Sequence, residues 1–218
     1  MKLKNNYLKI TCDGGAATGK STGAKLIAKK YKLAFLSSGL LYRYAAYLIL
    51  KHKPNNKINF LKKRFKSLNY KDLNKINLHT LPISSYSADV AKILSVRNIL
   101  KKYQKNFIFK NKGCVLEGRD ASTKIMADSD VKFFFICSLN VAAKRRYKEL
   151  KKKNIKINLS SVKKSLKLRD ISDKKRKHSP LKKHKNSIVV NTSKLSKKAM
   201  VAKMSKFIEK VLKLKYGN

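Results

Sequence analysis

The chain has 218 residues, of which 55 are Lys or Arg and 11 are Asp or Glu, for a formal net charge of +44. That length suits one domain that buries its own core without disulfide or metal staples. The longest apolar run, Tyr44–Leu50, is seven residues, far short of the roughly 20 that a membrane-spanning helix needs. No apolar stretch follows the basic start Met1–Asn6, which argues against a secretory signal.

Leu8–Cys12 alternates apolar and polar residues and predicts a first strand. Gly14-Gly15-Ala16-Ala17-Thr18-Gly19-Lys20-Ser21 follows and fits G-x-x-x-x-G-K-[ST], the phosphate-binding loop. A helix is expected over 21–32, with Ala24, Ile27, Ala28 and Tyr31 at helical spacing. Strand, glycine loop and helix is the context the motif needs. Backbone N–H groups from Gly14 to Thr22 and the positive helix start then converge on phosphate oxygens. Lys20 is expected to reach the β- and γ-phosphates of a nucleoside triphosphate, and the Ser21 hydroxyl to bind Mg2+.

Ala34–Leu36 predicts a second strand, followed by Ser37-Ser38-Gly39-Leu40-Leu41-Tyr42-Arg43 and a helix over 39–52. Ligands bind beyond the carboxyl ends of strands in an open parallel sheet. Arg43, one helical turn past Gly39, can point back over that edge at an anion. Residues 53–82 are Lys/Asn-rich, hold Pro54 and Pro82, and read as the least regular part. With a long helix over 84–106 they form an expected inserted lobe, 53–106. Cys114–Glu117 predicts a third strand ending in Gly118-Arg119-Asp120. Glu117 there can help hold Mg2+ or its waters. Arg119 can neutralise phosphate, and Asp120 can accept from an exocyclic amine such as that of cytosine.

Lys132–Cys137 predicts a fourth strand, with helices over 139–152 and 159–174. Arg169, Asp173 and Arg176 are spaced four and three apart, on one helical face. The basic stretch 174–185, with the turn signal Ser179-Pro180, reads either as an exposed loop or, with the helix before it (158–185), as a lid over phosphates. Ser187–Asn191 predicts a fifth strand. A last helix over 195–213 carries Met200, Met204, Phe207, Ile208 and Val211 at core spacing. The alternation defines an α/β fold with a five-stranded, mainly parallel sheet flanked by helices. Cys12, Cys114 and Cys137 lack C-x-x-C spacing and read as buried, reduced thiols of a cytoplasmic protein.

The charge invites a nucleic-acid reading, but only eight of the basic residues are Arg and the lysines run along the whole chain. Asn (17) and Ile (16) are also abundant, while Gly is 8, Pro 3 and Trp 0. Lys, Asn and Ile share A/T-rich codons, so the composition points to an A/T-biased genome and a solvated lysine surface. Glycines and arginines that survive such a bias mark physical demands. Gly14, Gly15, Gly19, Gly23, Gly39 and Gly118 all lie in or beside the segments above. So do Arg43, Arg97, Arg119, Arg169 and Arg176, whose planar forks suit phosphate or a base edge better than lysine does.

Together these segments resemble the bacterial cytidylate kinases. Asp13-Gly14…Gly19-Lys20, Ser38-Gly39-Leu40-Leu41-Tyr42-Arg43, Val96-Arg97, Gly118-Arg119-Asp120, and Arg169-Asp170…Asp173…Arg176…Pro180-Leu181 stand in the family's order over nearly the whole chain. The resemblance implies a P-loop kinase, with an inserted NMP-binding lobe and a helical lid, that transfers the γ-phosphoryl of ATP to CMP or dCMP. It implies that Arg43, Arg119 and Arg176 clamp the acceptor phosphate, that Ser38, Arg97 and Asp120 belong to the acceptor site, with Arg97 and Asp120 reading cytosine, and that Arg169 and Asp173 hold the ribose or reach the transferring phosphate. Lys20, Arg119, Arg169 and Arg176 would be its catalytic residues. A monomer acting on small nucleotides, without membrane or nucleic-acid partners, is expected. The chain departs from the family pattern at Ser37, Glu117, Ser122, Ala88 and Asn191. Two other readings remain: a kinase of the same fold for UMP or another small acceptor, and a basic P-loop protein that binds RNA.

Overall fold

The computed structural model describes residues 7–152 and 154–217; the basic start Met1–Asn6 lies outside them. Five strands, β1 (Lys9–Gly14), β2 (Ala34–Ser37), β3 (Cys114–Gly118), β4 (Val131–Ile136) and β5 (Ile188–Asn191), form one parallel sheet in the order β2-β3-β1-β4-β5. Central β1 pairs Cys12 with Glu117 of β3 and with Phe133 of β4. Both its edges are thus covered by neighbours, and its residues from Ile10 to Gly14 are buried throughout. The α/β class and five-stranded sheet read from the sequence are those observed.

The chain forms two compact units: Leu36–Asn111, and the described residues up to Phe35 and from Lys112 onward. In the second of these, α1 (Lys20–Lys30) and α8 (Lys197–Tyr216) pack on the sheet. Ile27 and Ala24 of α1 and Met200, Met204, Ile208 and Leu212 of α8 close over Ile10, Phe133 and Phe135. Those α8 residues recur every fourth position, so one stripe meets the sheet. Burying each large side chain contributes roughly 1.5–3 kcal/mol. A second cluster joins α6 (Leu139–Lys151) to α7 (Leu159–Lys175) through Ala142, Ala143, Leu150, Val162 and Leu166.

The Leu36–Asn111 unit is helical: α2 (Ser38–His52), α3 (Lys57–Lys66), α4 (Leu81–Val90) and α5 (Leu94–Lys110), with a 3-10 segment at Tyr70–Lys75. Two expectations need correcting. The stretch read as irregular contains α3, because Asn56 caps it by accepting from the Asn59 N–H at 3.0 Å and Leu61 and Phe65 bury one face. The single helix expected over 84–106 is broken at Ala91–Ile93. There the Lys92 N–H donates to Asp89 O, and the Arg97 guanidinium donates to the Ala91 carbonyl at 3.1 Å. A side chain from the next helix thus takes over a carbonyl that a continuous helix would have used itself.

Candidate active site

The phosphate loop begins where β1 ends. Its turn needs left-handed backbone at Ala17 (φ 54°) and Gly19 (φ 83°), the latter capping α1. Alternation of left- and right-handed residues lets successive N–H groups face one concavity, which is how a loop cradles an anion. From behind, the Thr192 hydroxyl past β5 donates to Thr18 O at 2.7 Å, and Arg145 of α6 grips Thr192 through its hydroxyl (2.9 Å) and its carbonyl (2.6 Å). Ser21 and Thr22 lie exposed on the first turn of α1. The Lys20 ammonium is turned back, donating to Gly15 O at 3.0 Å and standing 3.5 Å from Glu117 Oε1, with both side chains nearly buried.

At the head of β1, Asp13 is fully buried and accepts three hydrogen bonds: from Ala121 N–H (2.9 Å), Ser122 N–H (2.7 Å) and Ser122 Oγ–H (2.6 Å). Burial pushes its carboxyl up to about 6, against the pull of those donors and with a further push from Asp120. The segment held this way is a single π-helical turn, Ala121–Ile125, directly after Gly118-Arg119-Asp120. Ser122, where the family pattern has Gly, therefore adds a hydroxyl to the clamp.

Arg119 and the α7 residues converge. Arg119 Nε donates to Asp173 Oδ2 at 2.8 Å, and Arg176 donates to Asp173 Oδ1 at 3.4 Å. Burial would raise the Asp173 carboxyl, but the guanidiniums of Arg119, Arg169 and Arg176 outweigh it and hold it below its usual value. Arg176 does not share a helical face with Arg169 and Asp173, as the spacing predicted. It caps α7 in extended conformation, its N–H donating to Ser172 O and its Nε to Ser179 O at 2.7 Å. The chain then folds back, and Leu181 N–H donates to Asp173 O at 2.7 Å.

In the Leu36–Asn111 unit, the Ser38 hydroxyl is buried and donates to Gln104 Oε1 at 2.6 Å. Arg43 donates to Gly39 O at 3.4 Å, and buried Arg97 lies over the Tyr42 ring at 5.5 Å. Ser37 accepts from the Leu40 N–H and so caps α2. Ser87, beside Ala88, is buried and donates to Ser84 O at 2.8 Å.

Sequence reasoning gave no role to Asp13 and Asp170, which it named only within motifs, and missed Arg145 and Thr192. A signal for the first two was available. Only 11 acidic residues occur in the chain, and Asp13, Glu117, Asp120, Asp170 and Asp173 are five of them. Scarcity marks acids as it marked glycines and arginines. Among the described residues no group of three or more His, Cys, Asp or Glu could hold a metal by itself, and no helix is long and apolar enough to cross a membrane. Cys12 and Cys114 are buried free thiols and Cys137 is partly buried; burial raises the first two, and Cys114 reaches about 11.

A parallel sheet whose central strand feeds a phosphate loop, with arginines gathered beyond the strand ends, defines a P-loop phosphotransferase. Solved structures carry the same fold: an uncharacterized protein from Eubacterium ventriosum (TM-score 0.55, 12% identity, 94% of this chain and 99% of that one) and the shikimate kinase of Bacteroides thetaiotaomicron (TM-score 0.50, 10% identity, 93% and 98%). At such identities the likeness concerns fold alone. The cytidylate kinase family model matches residues 10–210. Curated cytidylate kinases of Bartonella tribocorum and Thermosipho melanesiensis are each 36% identical, over 94% of this chain and 96% and 99% of their own lengths. The chain belongs to the cytidylate kinase family, and it is a nucleotide kinase.

Proposed function

We propose that the protein transfers the γ-phosphoryl group of Mg-ATP to CMP or dCMP, giving CDP or dCDP. The observation that carries this reading is the convergence of Arg119 and Arg176 on one carboxylate, Asp173, in the unit that also holds the phosphate loop. Phosphoryl transfer needs alignment and charge neutralisation more than covalent help. The acceptor phosphate oxygen is already ionised at neutral pH, so no general base is required. Lys20 and the backbone N–H groups of residues 14–22, save that of Ala16, which donates to Asp170, bind the donor phosphates, and Arg119, Arg169 and Arg176 neutralise the charge that spreads during transfer. Arg43, with Arg119 and Arg176, holds the acceptor phosphate. Ser38, Arg97 and Asp120 bind the nucleoside, and Asp173 sets the guanidiniums that flank it.

The residues present fit Mg2+. It is a hard ion that takes oxygen donors and keeps several waters, bound through one or two protein groups plus substrate phosphates. The exposed Ser21 hydroxyl and the Glu117 carboxylate beside Lys20 are such donors. The ion would draw charge from the phosphate oxygens.

Five site-placed arginines support a small-nucleotide substrate over RNA, since a general polyanion surface could be built from lysine alone. An acceptor panel decides the matter: ADP release from ATP with CMP, dCMP, UMP, AMP or buffer. Stimulation by CMP and dCMP is expected. Stimulation by UMP alone moves the reading to a different acceptor. Salt-dependent RNA binding without stimulation by any acceptor overturns it.

A further inference from the structure

We infer that Asp170 is a positioning residue that ties the arginine-bearing end of α7 to the phosphate loop; the kinetic part of this inference rests on the phosphoryl-transfer reading above. The Asp170 carboxylate accepts from the Ala16 backbone N–H at 2.9 Å, across 154 residues of sequence. It also lies flat against the neighbouring glycine. A Cβ placed on Gly15 would fall 2.8 Å from Asp170 Oδ2, 3.1 Å from Oδ1 and 3.2 Å from the carboxyl carbon. Real Cβ atoms do not approach to 2.8 Å, so the Asp170 carboxylate can hold this position only against a glycine at position 15. Few glycines and few acids occur in this chain, and here one of each meets.

The consequence follows from helix geometry. Asp170 sits beside Arg169 and one turn before Asp173 on α7. Asp173 in turn engages Arg119 and Arg176. Fixing Asp170 on a loop that is itself anchored through Thr18 and Thr192 therefore fixes the guanidiniums relative to the N–H groups that bind the donor phosphates. A charge-assisted hydrogen bond from a rigid loop is a strong and directional tether. A misplacement of only about 1 Å at a reacting centre can cost on the order of 100-fold in rate.

The test uses the full-length protein with Asp170→Ala, Asp170→Asn, Gly15→Ala and the Gly15→Ala/Asp170→Ala double variant. In nucleotide-free protein, residue-resolved amide exchange should speed up at Ala16 and along 169–176 in Asp170→Ala, and return toward wild type in Asp170→Asn, which keeps an acceptor oxygen. With ATP and CMP, Asp170→Ala should lose about 10- to 100-fold in kcat with KM for ATP changed less than about 3-fold. Asp170→Asn should recover most of that loss. Gly15→Ala should act like Asp170→Ala, and the double variant should be no worse than either single one, because residues in contact couple. Unchanged exchange at Ala16 in Asp170→Ala, or additive losses in the double variant, would overturn the inference. A wild-type protein inactive toward CMP would sink the substrate reading, and the exchange data would still decide the tether.

Discussion

Asp173 accepts from Arg119 through one oxygen and from Arg176 through the other, at 2.8 and 3.4 Å. One carboxylate thus holds together two guanidiniums from distant parts of the chain. Like-charged groups would otherwise repel, and a bare phosphate would have to gather them at its own cost. Asp173→Ala is therefore expected to weaken apparent acceptor binding by about 1.5–3 kcal/mol, roughly 10- to 100-fold in KM for CMP. Steady-state kinetics with CMP as the varied substrate checks this. An unchanged KM would remove Asp173 from the acceptor site.

Lys20 and Glu117 form a nearly buried pair. Lys20→Met should reduce turnover by about 1,000-fold if, as proposed, its ammonium serves the donor phosphates during transfer. It should also cost stability, about 3–5 kcal/mol, because it takes away the ammonium that stands 3.5 Å from the buried Glu117 carboxylate. Adding Glu117→Gln should restore the Tm and leave turnover low. Recovery of turnover in the double variant would show that Lys20 acts through Glu117 alone.

Asp13 makes stability and activity depend on pH in opposite senses. Its carboxyl rises from the usual 3.8 to about 6 on folding. A raised carboxyl contributes stability below its unfolded value, and that contribution disappears as pH rises through about 6; the rise corresponds to about 3 kcal/mol. The Tm of wild type relative to Asp13→Asn should therefore fall between pH 4 and pH 7. Activity should move the other way. Below about pH 6 a proton on Asp13 meets the donors from Ala121 and Ser122, loosening the segment beside Arg119. Wild-type kcat should drop on that acid limb, and Asp13→Asn should lack it. A Tm difference independent of pH would show that Asp13 does not titrate in this range.

Asp120→Ala addresses the base. A carboxylate facing an exocyclic amine discriminates by about 1–3 kcal/mol, so the CMP:UMP ratio of kcat/KM should fall roughly 10- to 100-fold. An equal loss with both acceptors would instead give Asp120 a purely structural role.

The strands and most helices were legible because hydrophobic alternation and turn chemistry are local. β2, β4 and β5 start or stop within a residue of their expected places, and the motif glycines located the phosphate loop. Local signals failed where a distant group decided the outcome. The break before α5 depends on Arg97 reaching back to Ala91, and the departure of Arg176 from α7 depends on Ser179. The ties Asp13–Ser122, Ala16–Asp170 and Thr18–Thr192 span 109 to 174 residues. Periodicity carries no trace of such pairs; only the rarity of acids in a lysine-rich chain could have pointed to some of them.

The bonds from Asp13 to Ala121 and Ser122 fasten the root of the phosphate loop to the turn behind Arg119. The distance between the loop and that turn, the two features proposed to grip phosphates, is thereby set before any nucleotide arrives. The pair acts as a caliper with its jaws locked. A synthetic compound carrying two phosphate heads on one tether would measure that gap. Only tethers of matching length would engage both jaws and gain the avidity of a bivalent ligand; shorter or longer ones would bind as though half the compound were missing. A tether-length series would thus turn the locked gap into a length measured in solution.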